Sequence, residues 1–346
     1  MAARPPLLTE SAPTMFHEVP EHASGAGRRI SRRRVLQGAA ALAAAVLLAR
    51  RARADEPAAF DTLDLDWADP RRQRPVPVRL YLPRAEGPLP LMVFSHGIGG
   101  SRFGYRWLGQ HLAASGIASL HPQHVGSDRQ VWFGNVFEIF GRLQDAAREQ
   151  EALARALDVR FALDTLLQGE HGARIDTRRI VAGGHSYGAN TTLLVAGARV
   201  EREGRTVELR DERVRAALVI SAPPFYGEAD PKRILAGVTL PSLHVTATDD
   251  VIRVPGYWSG ASDRLAVFDA TASPAKWLAV YAGGSHSMFT DRAGTGGVAL
   301  NPQVKAATRE LTLAFLRQVF DGDASALAAW PERHAAILAR FAEVRA

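Results

Sequence analysis

Leu89, Pro90, Leu91, Met92, Val93 and Phe94 leave no polar residue at either phase of a two-residue repeat. A strand made from them must be covered on both faces, which excludes a sheet with one wet side. Around this run the pattern alternates. Stretches at 60–67 and 76–82 read as an antiparallel start. The pattern then predicts helix over 105–114, strand over 117–120, helix over 153–167, strand over 179–182 and helix over 186–200. Strands follow at 216–220, 242–246 and 277–281, then helices at 303–319, 324–329 and 332–344. Strands interleaved with helices imply the α/β class, with a mostly parallel central sheet covered by helices on both sides. From residue 55 onward there is no internal repeat and no long linker, so 55–346 reads as one domain.

The net charge of +6 suggests a polyanion partner only until it is divided along the chain. Nine arginines and three glutamates in residues 1–54 account for all of it, and the remaining 33 basic and 33 acidic residues balance. Nucleic acid is therefore not an expected partner. Within 1–54, Ser31, Arg32, Arg33, Arg34, Val35, Leu36 and Gln37 precede an apolar run at 38–49, and Ala52 and Ala54 supply the small residues a signal peptidase reads. The layout resembles a twin-arginine export signal, matching at Ser31, Arg32, Arg33 and Leu36 and departing at Val35 and Gln37, where that signal prefers Phe and Lys. It implies export to the periplasm or medium, with the export machinery as a partner. The apolar run is too short for a bilayer span, which needs roughly 20 residues, so no stable span is expected in the mature chain. The chain has no cysteine, so it forms no disulfide in an oxidising compartment.

The chemistry centres on Gly184, His185, Ser186, Tyr187 and Gly188. A G-x-S-x-G match arises by chance in a chain of this composition about one time in ten, so the pattern alone is weak. Its setting strengthens it. Ile180 and Val181 run into it and a helix-forming stretch from Ala189 leaves it, which is the strand, turn, helix arrangement that exposes a serine hydroxyl. A serine hydroxyl is a poor nucleophile until a base takes its proton. On such an elbow the chain order is serine, acid, histidine. His286, in a Gly-Gly-Ser-His-Ser loop just after the 277–281 strand, is the histidine so placed, whereas His244 falls inside a strand and His334 inside a late helix. The acid belongs at the end of the strand between them, where Asp249 and Asp250 follow 242–246. Asp250 is the first choice and Asp249 the alternative, and either could cap the next turn. The glycine-rich turn Ser95 to Gly100 places the Ile98 amide beside the Tyr187 amide as oxyanion donors, and it lacks the spacing or the lysine of a phosphate loop.

These segments together with His124, Val125, Gly126, Ser127 and Asp128 resemble the bacterial dienelactone-hydrolase-like esterases of the α/β-hydrolase superfamily, related to platelet-activating-factor acetylhydrolases, over roughly residues 75 to 320. The resemblance implies the α/β-hydrolase fold and cofactor-free, metal-free hydrolysis of a carboxylic ester, small or lipid-like, through an acyl-enzyme. Two departures stand out. Dienelactone hydrolases proper use a cysteine nucleophile, and the acetylhydrolases place their acid after the strand that here ends Ile220, Ser221, Ala222, Pro223, with no aspartate following. An acyltransferase or perhydrolase would use the same triad with a different acceptor, and a peptidase of this fold is a further alternative; a non-enzymatic binding protein on the same scaffold would need a broken triad.

Trp132, Phe133, Phe137 and Phe140 lie in an insertion at 128–150 that reads either as a lid or pocket wall, or as an ordinary helix packed by its aromatic face. Phe225 and Tyr226 are further candidates for the pocket. His121 and His124 invite a metal, but no third ligand accompanies them, and packing is the simpler reading.

Overall fold

Residues 59–254, 256–292 and 297–345 are described in the computed structural model; the leader read at 1–54 lies outside them. The described residues open with strands β1 (Phe60–Asp69), β2 (Arg74–Pro83) and β3 (Leu89–Ser95), then α1 (Arg106–Ala114) and β4 (Ala118–Pro122). Helices α2 (Val136–Ala146) and α3 (Glu149–Gln168) lead to β5 (Ile175–His185) and α4 (Tyr187–Val195). A ribbon of β6 (Arg199–Arg202) and β7 (Arg205–Glu208) precedes β8 (Val214–Ile220), α5 (Pro231–Leu235) and β9 (Ser242–Asp249). A second ribbon, β10 (Ile252–Val254) with β11 (Tyr257–Ser259), is followed by α6 (Ala261–Ala270), β12 (Ala275–Ser285), α7 (Asn301–Asp321), α8 (Ser325–Arg333) and β13 (Leu338–Arg345).

Among the described residues one nine-stranded sheet runs β1-β2-β4-β3-β5-β8-β9-β12-β13. β1 and β2 form the antiparallel start and β2 is antiparallel to β4; β4, β3, β5, β8, β9 and β12 run parallel to one another, and β13 returns antiparallel on β12. The run that demanded cover on both sides receives it. Leu91 and Val93 point into one layer with Ile180 and Ala182, against Val159, Leu163 and Leu166 of α3 and Leu193 of α4. Met92 and Phe94 point into the other with Val181 and Leu218, against Leu108 and Leu112 of α1, Leu311 and Phe315 of α7 and Trp330 of α8. Alternation of strand side chains thus builds two cores from one apolar run.

Several expectations need correction. The helix expected at 332–344 is absent: α8 ends at Arg333, two residues past Pro331, and Leu338–Arg345 pairs with the outer edge of β12 from Ala275↔Arg345 to Tyr281↔Leu338. That edge has unpaired N–H and C=O groups, and covering them outweighs helical propensity. The helix expected to reach residue 200 ends at Val195, because Gly197 turns at φ 119° against Gly237, where any side chain would collide with the Gly237 carbonyl. The two small ribbons and the short helix α5 fall outside the sequence expectations because their few residues leave too little periodicity to read, and α6 falls outside them because the buried Arg264 interrupts its apolar face. His334 caps the end of α8 and contacts Glu310 at 2.9 Å.

The interior holds an unusual load of histidine. His96, His121, His124, His185 and His244 are all buried. Burial keeps His121, His185 and His244 neutral down to about 3, and holds His96 and His124 well below the ordinary imidazole range. In the unfolded chain each takes a proton near 6.5, so below that pH the unfolded state binds more protons and stability falls as pH falls. For His121, His185 and His244 the window runs from 6.5 down to about 3, and each contributes up to about 1.4 kcal/mol per pH unit within it, while His96 and His124 act in the same direction. Thermal melts between pH 7 and pH 5 are expected to show a steep drop in Tm, beginning before carboxylates titrate; a flat Tm over that interval would contradict the neutral assignment.

Candidate active site

The parallel strands deliver the site from their carboxyl ends, as open α/β sheets do. Ser95 of β3 lies opposite Gly184 of β5, and His185 lies opposite Ile220 of β8, so the turn after β3, the elbow and the tip of β8 emerge together. On the next pair, Asp249 of β9 lies opposite Ser285 of β12, and one residue further Asp250 and His286 emerge side by side. Register therefore sets the meeting of these groups before any side chain is considered.

Ser186 sits between β5 and α4 with φ 57° and ψ −124°, a conformation that costs a non-glycine residue about 1–3 kcal/mol. Its amide donates to the Ile220 carbonyl at 2.9 Å. The two elbow glycines permit the turn: a Cβ at Gly188 would lie 2.0 Å from the Ser95 carbonyl oxygen, and one at Gly184 would lie 2.2 Å from that of Gly188. The Ser186 hydroxyl lies 2.8 Å from His286 Nε2, and His286 Nδ1 lies 2.7 Å from Asp250 Oδ1. A carboxylate only accepts, so Nδ1–H donates to it and Nε2 is left to accept from the serine. Thr246 donates to Asp250 Oδ2 at 2.7 Å. Burial alone would raise the Asp250 carboxyl, but the His286 hydrogen bond and charge and the Arg264 guanidinium overcome it and hold Asp250 well below the usual carboxylate range. The Ser221 hydroxyl adds to this by proximity without forming a hydrogen bond of ordinary geometry.

Asp249 is exposed and accepts only from Thr248, at 3.2 Å. Glu228 pairs with Arg202, and Asp230 caps α5 through the Lys232 and Arg233 amides. None of these touches His286. Among the described residues Asp250 is the carboxylate brought to the imidazole.

Ile98 and Tyr187 both border the cavity above Ser186, and neither amide finds an acceptor among the described residues. The turn that carries Ile98 is pressed on the elbow: a Cβ at Gly97 would lie 3.2 Å from that of Ser186. Arg155 of α3, fully buried, ties the two sides together. It donates to the His96 carbonyl, to Ser127 Oγ at 2.8 Å and to Thr191 Oγ1 at 2.9 Å, with its guanidinium 4.5 Å from the centre of the Tyr187 ring. Burial pushes it down to about 10, so it remains a cation at neutral pH. A second tie runs through Tyr105. The Gly97 amide donates to the Tyr105 hydroxyl at 3.3 Å, that hydroxyl donates to His185 Nδ1 at 2.8 Å, and His185 Nε2–H donates to the His286 carbonyl at 3.0 Å. His185 is thus a neutral strut between the turn after β3 and the histidine loop.

His124 donates from Nδ1 to Asp158 at 3.1 Å and accepts from Ser95 at Nε2, and its amide donates to His96 Nε2; His121 contacts Ser119 at 2.9 Å. No group of three or more possible metal ligands occurs among the described residues. No helix of the described residues is long and apolar enough to cross a membrane.

The cavity over Ser186 has a volume of about 680 Å³ and is lined mainly by apolar side chains, among them Leu143, Leu153, Leu194, Val254, Phe225 and Tyr226. Trp132 forms part of its wall, held by a hydrogen bond from Nε1 to the Gly99 carbonyl at 3.0 Å. The aromatic residues of the 128–150 insertion do not pack as a helix core. Trp132 is 40% exposed and Phe137 85%, with Phe133 and Phe140 also exposed, while Val131, Leu143 and Ala146 make the buried contacts.

Residues 80–133 match the family model described as platelet-activating factor acetylhydrolase, isoform II. No curated protein matches the chain. Among solved structures, a ferulic acid esterase from Streptomyces cinnamoneus is similar with a TM-score of 0.54 and 22% identity, over 77% of this chain and 91% of that one. Strand order, the strained serine elbow and this structural likeness agree: the chain has the α/β-hydrolase fold.

Proposed function

We propose that the chain is a serine esterase that hydrolyses carboxylic esters carrying an apolar group. The observation that carries this reading is the unbroken chain from Ser186 Oγ through His286 to the ionised Asp250, at 2.8 and 2.7 Å, beneath a large apolar cavity. Ser186 Oγ attacks the ester carbonyl carbon as His286 Nε2 takes its proton. The carbonyl π electrons move onto oxygen, and the Ile98 and Tyr187 amides donate to that oxyanion. Collapse breaks the bond to the alcohol oxygen, which leaves with the proton from His286. Water then attacks the acyl-enzyme by the same route and releases the acid and free Ser186. Asp250 stays ionised throughout, holding the imidazole in the Nδ1–H form and stabilising its charged state.

The apolar lining and the wall supplied by Trp132 favour a bulky apolar acyl or alcohol group. We take the 128–150 segment as the cover of that pocket. The leader at 1–54 is proposed to route the folded chain through the twin-arginine system to the periplasm or medium, which fits a chain without cysteine.

Ser186→Ala is expected to melt like the wild type and to lose ester hydrolysis by several orders of magnitude, because triad members act as a unit; near-normal turnover would remove Ser186 from its role. Asp250→Asn is expected to lower kcat by on the order of 10⁴-fold at neutral pH, while Asp249→Asn leaves it close to normal. Measured on one ester, the reverse ranking would move the acid to Asp249. Replacing Arg32 and Arg33 together by lysine is expected to leave the unprocessed chain in the cytoplasm, as read by fractionation; export of that variant at the normal rate would exclude the twin-arginine route.

A further inference from the structure

Arg264 of α6 is 3% exposed, and its position is hard to explain by packing alone. Its Nη1 donates to Ser259 Oγ at 2.6 Å and to the Gly260 carbonyl at 3.1 Å. Its Nη2 lies 3.4 Å from Asp250 Oδ1, the same oxygen that accepts from His286, yet neither Nη2 nor Nε makes a hydrogen bond of ordinary geometry. A buried cation therefore stands beside the acid of the triad without clamping it. Ser259 Oγ also accepts from the hydroxyl of Tyr226, a residue of the cavity wall, at 3.0 Å, which fixes the arginine from the pocket side.

We infer that Arg264 is a positioning residue that, through its charge beside Asp250, sets the pH range over which the Ser186 hydroxyl is activated. The inference rests on the proposed triad. Before attack the three groups carry a neutral imidazole, a carboxylate and a guanidinium, which sum to zero. Protonating His286 leaves a net charge of +1 in a buried space, and the guanidinium opposes that step by Coulomb repulsion and by drawing field from the shared carboxylate oxygen. Arg264 thereby extends activity toward acid.

The other groups facing the pair do not supply this effect. His185, from the elbow, has its ring centre 4.7 Å from that of His286, but burial keeps it neutral to about 3. Thr246 of β9 and Ser221 at the tip of β8 are hydroxyls. Tyr105 acts only through His185, and Tyr226 only through Ser259. Asp249 is in solvent, Asp263 caps the Gly260 amide, Asp291 accepts from the Arg106 amide, and Arg292 stacks over Trp132. Arg264 is the charged side chain in contact with Asp250 besides His286 itself among the described residues.

The test is the pH dependence of covalent labelling of Ser186 by a fluorophosphonate, which needs no knowledge of the natural ester. Wild type, Arg264→Lys, Arg264→Met and Arg264→Gln are compared. Wild type and the lysine variant are expected to share one ascending limb, and the two uncharged variants to show it displaced upward by about one pH unit. Glutamine retains polar contacts with Ser259 and Gly260, so it carries the comparison if the methionine variant fails to fold. An unshifted limb in the uncharged variants, even with a lower plateau, would reduce Arg264 to a packing role and overturn the inference. A lysine variant displaced as far as the uncharged ones would do the same. Failure of the wild type to label at any pH would instead overturn the triad reading on which the inference stands.

Discussion

Ser186 is held where a side chain is costly, and the surrounding structure is arranged to keep it there. At φ 57° its hydroxyl is thrust off the end of β5, and about 1–3 kcal/mol of local strain must be offset by contacts that exist only in this geometry. The elbow is wedged against the turn after β3, with the Gly188 Cα facing the Ser95 carbonyl and Gly97 facing the Ser186 side chain. Arg155 bonds to the His96 backbone on one side and to Thr191 on the other. The same contacts hold Ile98 and Tyr187 at the edge of the cavity above it. Strain and preorganisation share one cause.

Around this point the buried polar groups divide by charge state. The buried histidines are neutral, and their hydrogen-bond partners leave little choice of tautomer: His185 donates to the His286 carbonyl and accepts from Tyr105, and His124 donates to Asp158 and accepts from Ser95. Asp250 stays ionised, because His286 and Arg264 outweigh its desolvation, and the buried Arg155 stays a cation. Neutral struts hold the loops, and the buried Asp250 carboxylate holds His286 at Nδ1. Since an unpaired buried polar group costs about 1–3 kcal/mol, this network defines a single arrangement of the four strand tips more sharply than apolar packing does.

Much of this was legible in the sequence, and the parts that were not share physical reasons. Ser186, His286 and Asp250 each follow a buried strand at a tip, so strand pattern and residue type together locate them. The strand at 338–345 was misread as helix because its apolar residues, Leu338, Phe341 and Ala342, satisfy a helical spacing equally well, and its state depends on an edge of β12 that is distant in sequence. Arg155 and Arg264 were overlooked among many arginines. A local signal existed for both: Arg155 falls three and four residues from Ala152 and Val159, and Arg264 falls four from Phe268, so each occupies the inward face of its helix. A charge on a buried face needs a partner, and the partners here, the His96 carbonyl and Asp250, lie elsewhere in the chain. The aromatic residues of 128–150 were ambiguous between core and pocket because spacing records which face they share and not what covers it.

The central claim is that Ser186 carries the acyl group during turnover. Brief exposure to an activated ester such as a p-nitrophenyl alkanoate, quenched in acid and read by peptide mass spectrometry, tests it directly. The triad predicts a gain of one acyl group on the peptide containing Ser186, with no such gain in a His286→Ala variant treated alike. An acyl group on a different residue, or equal acylation of Ser186 without His286, would contradict it.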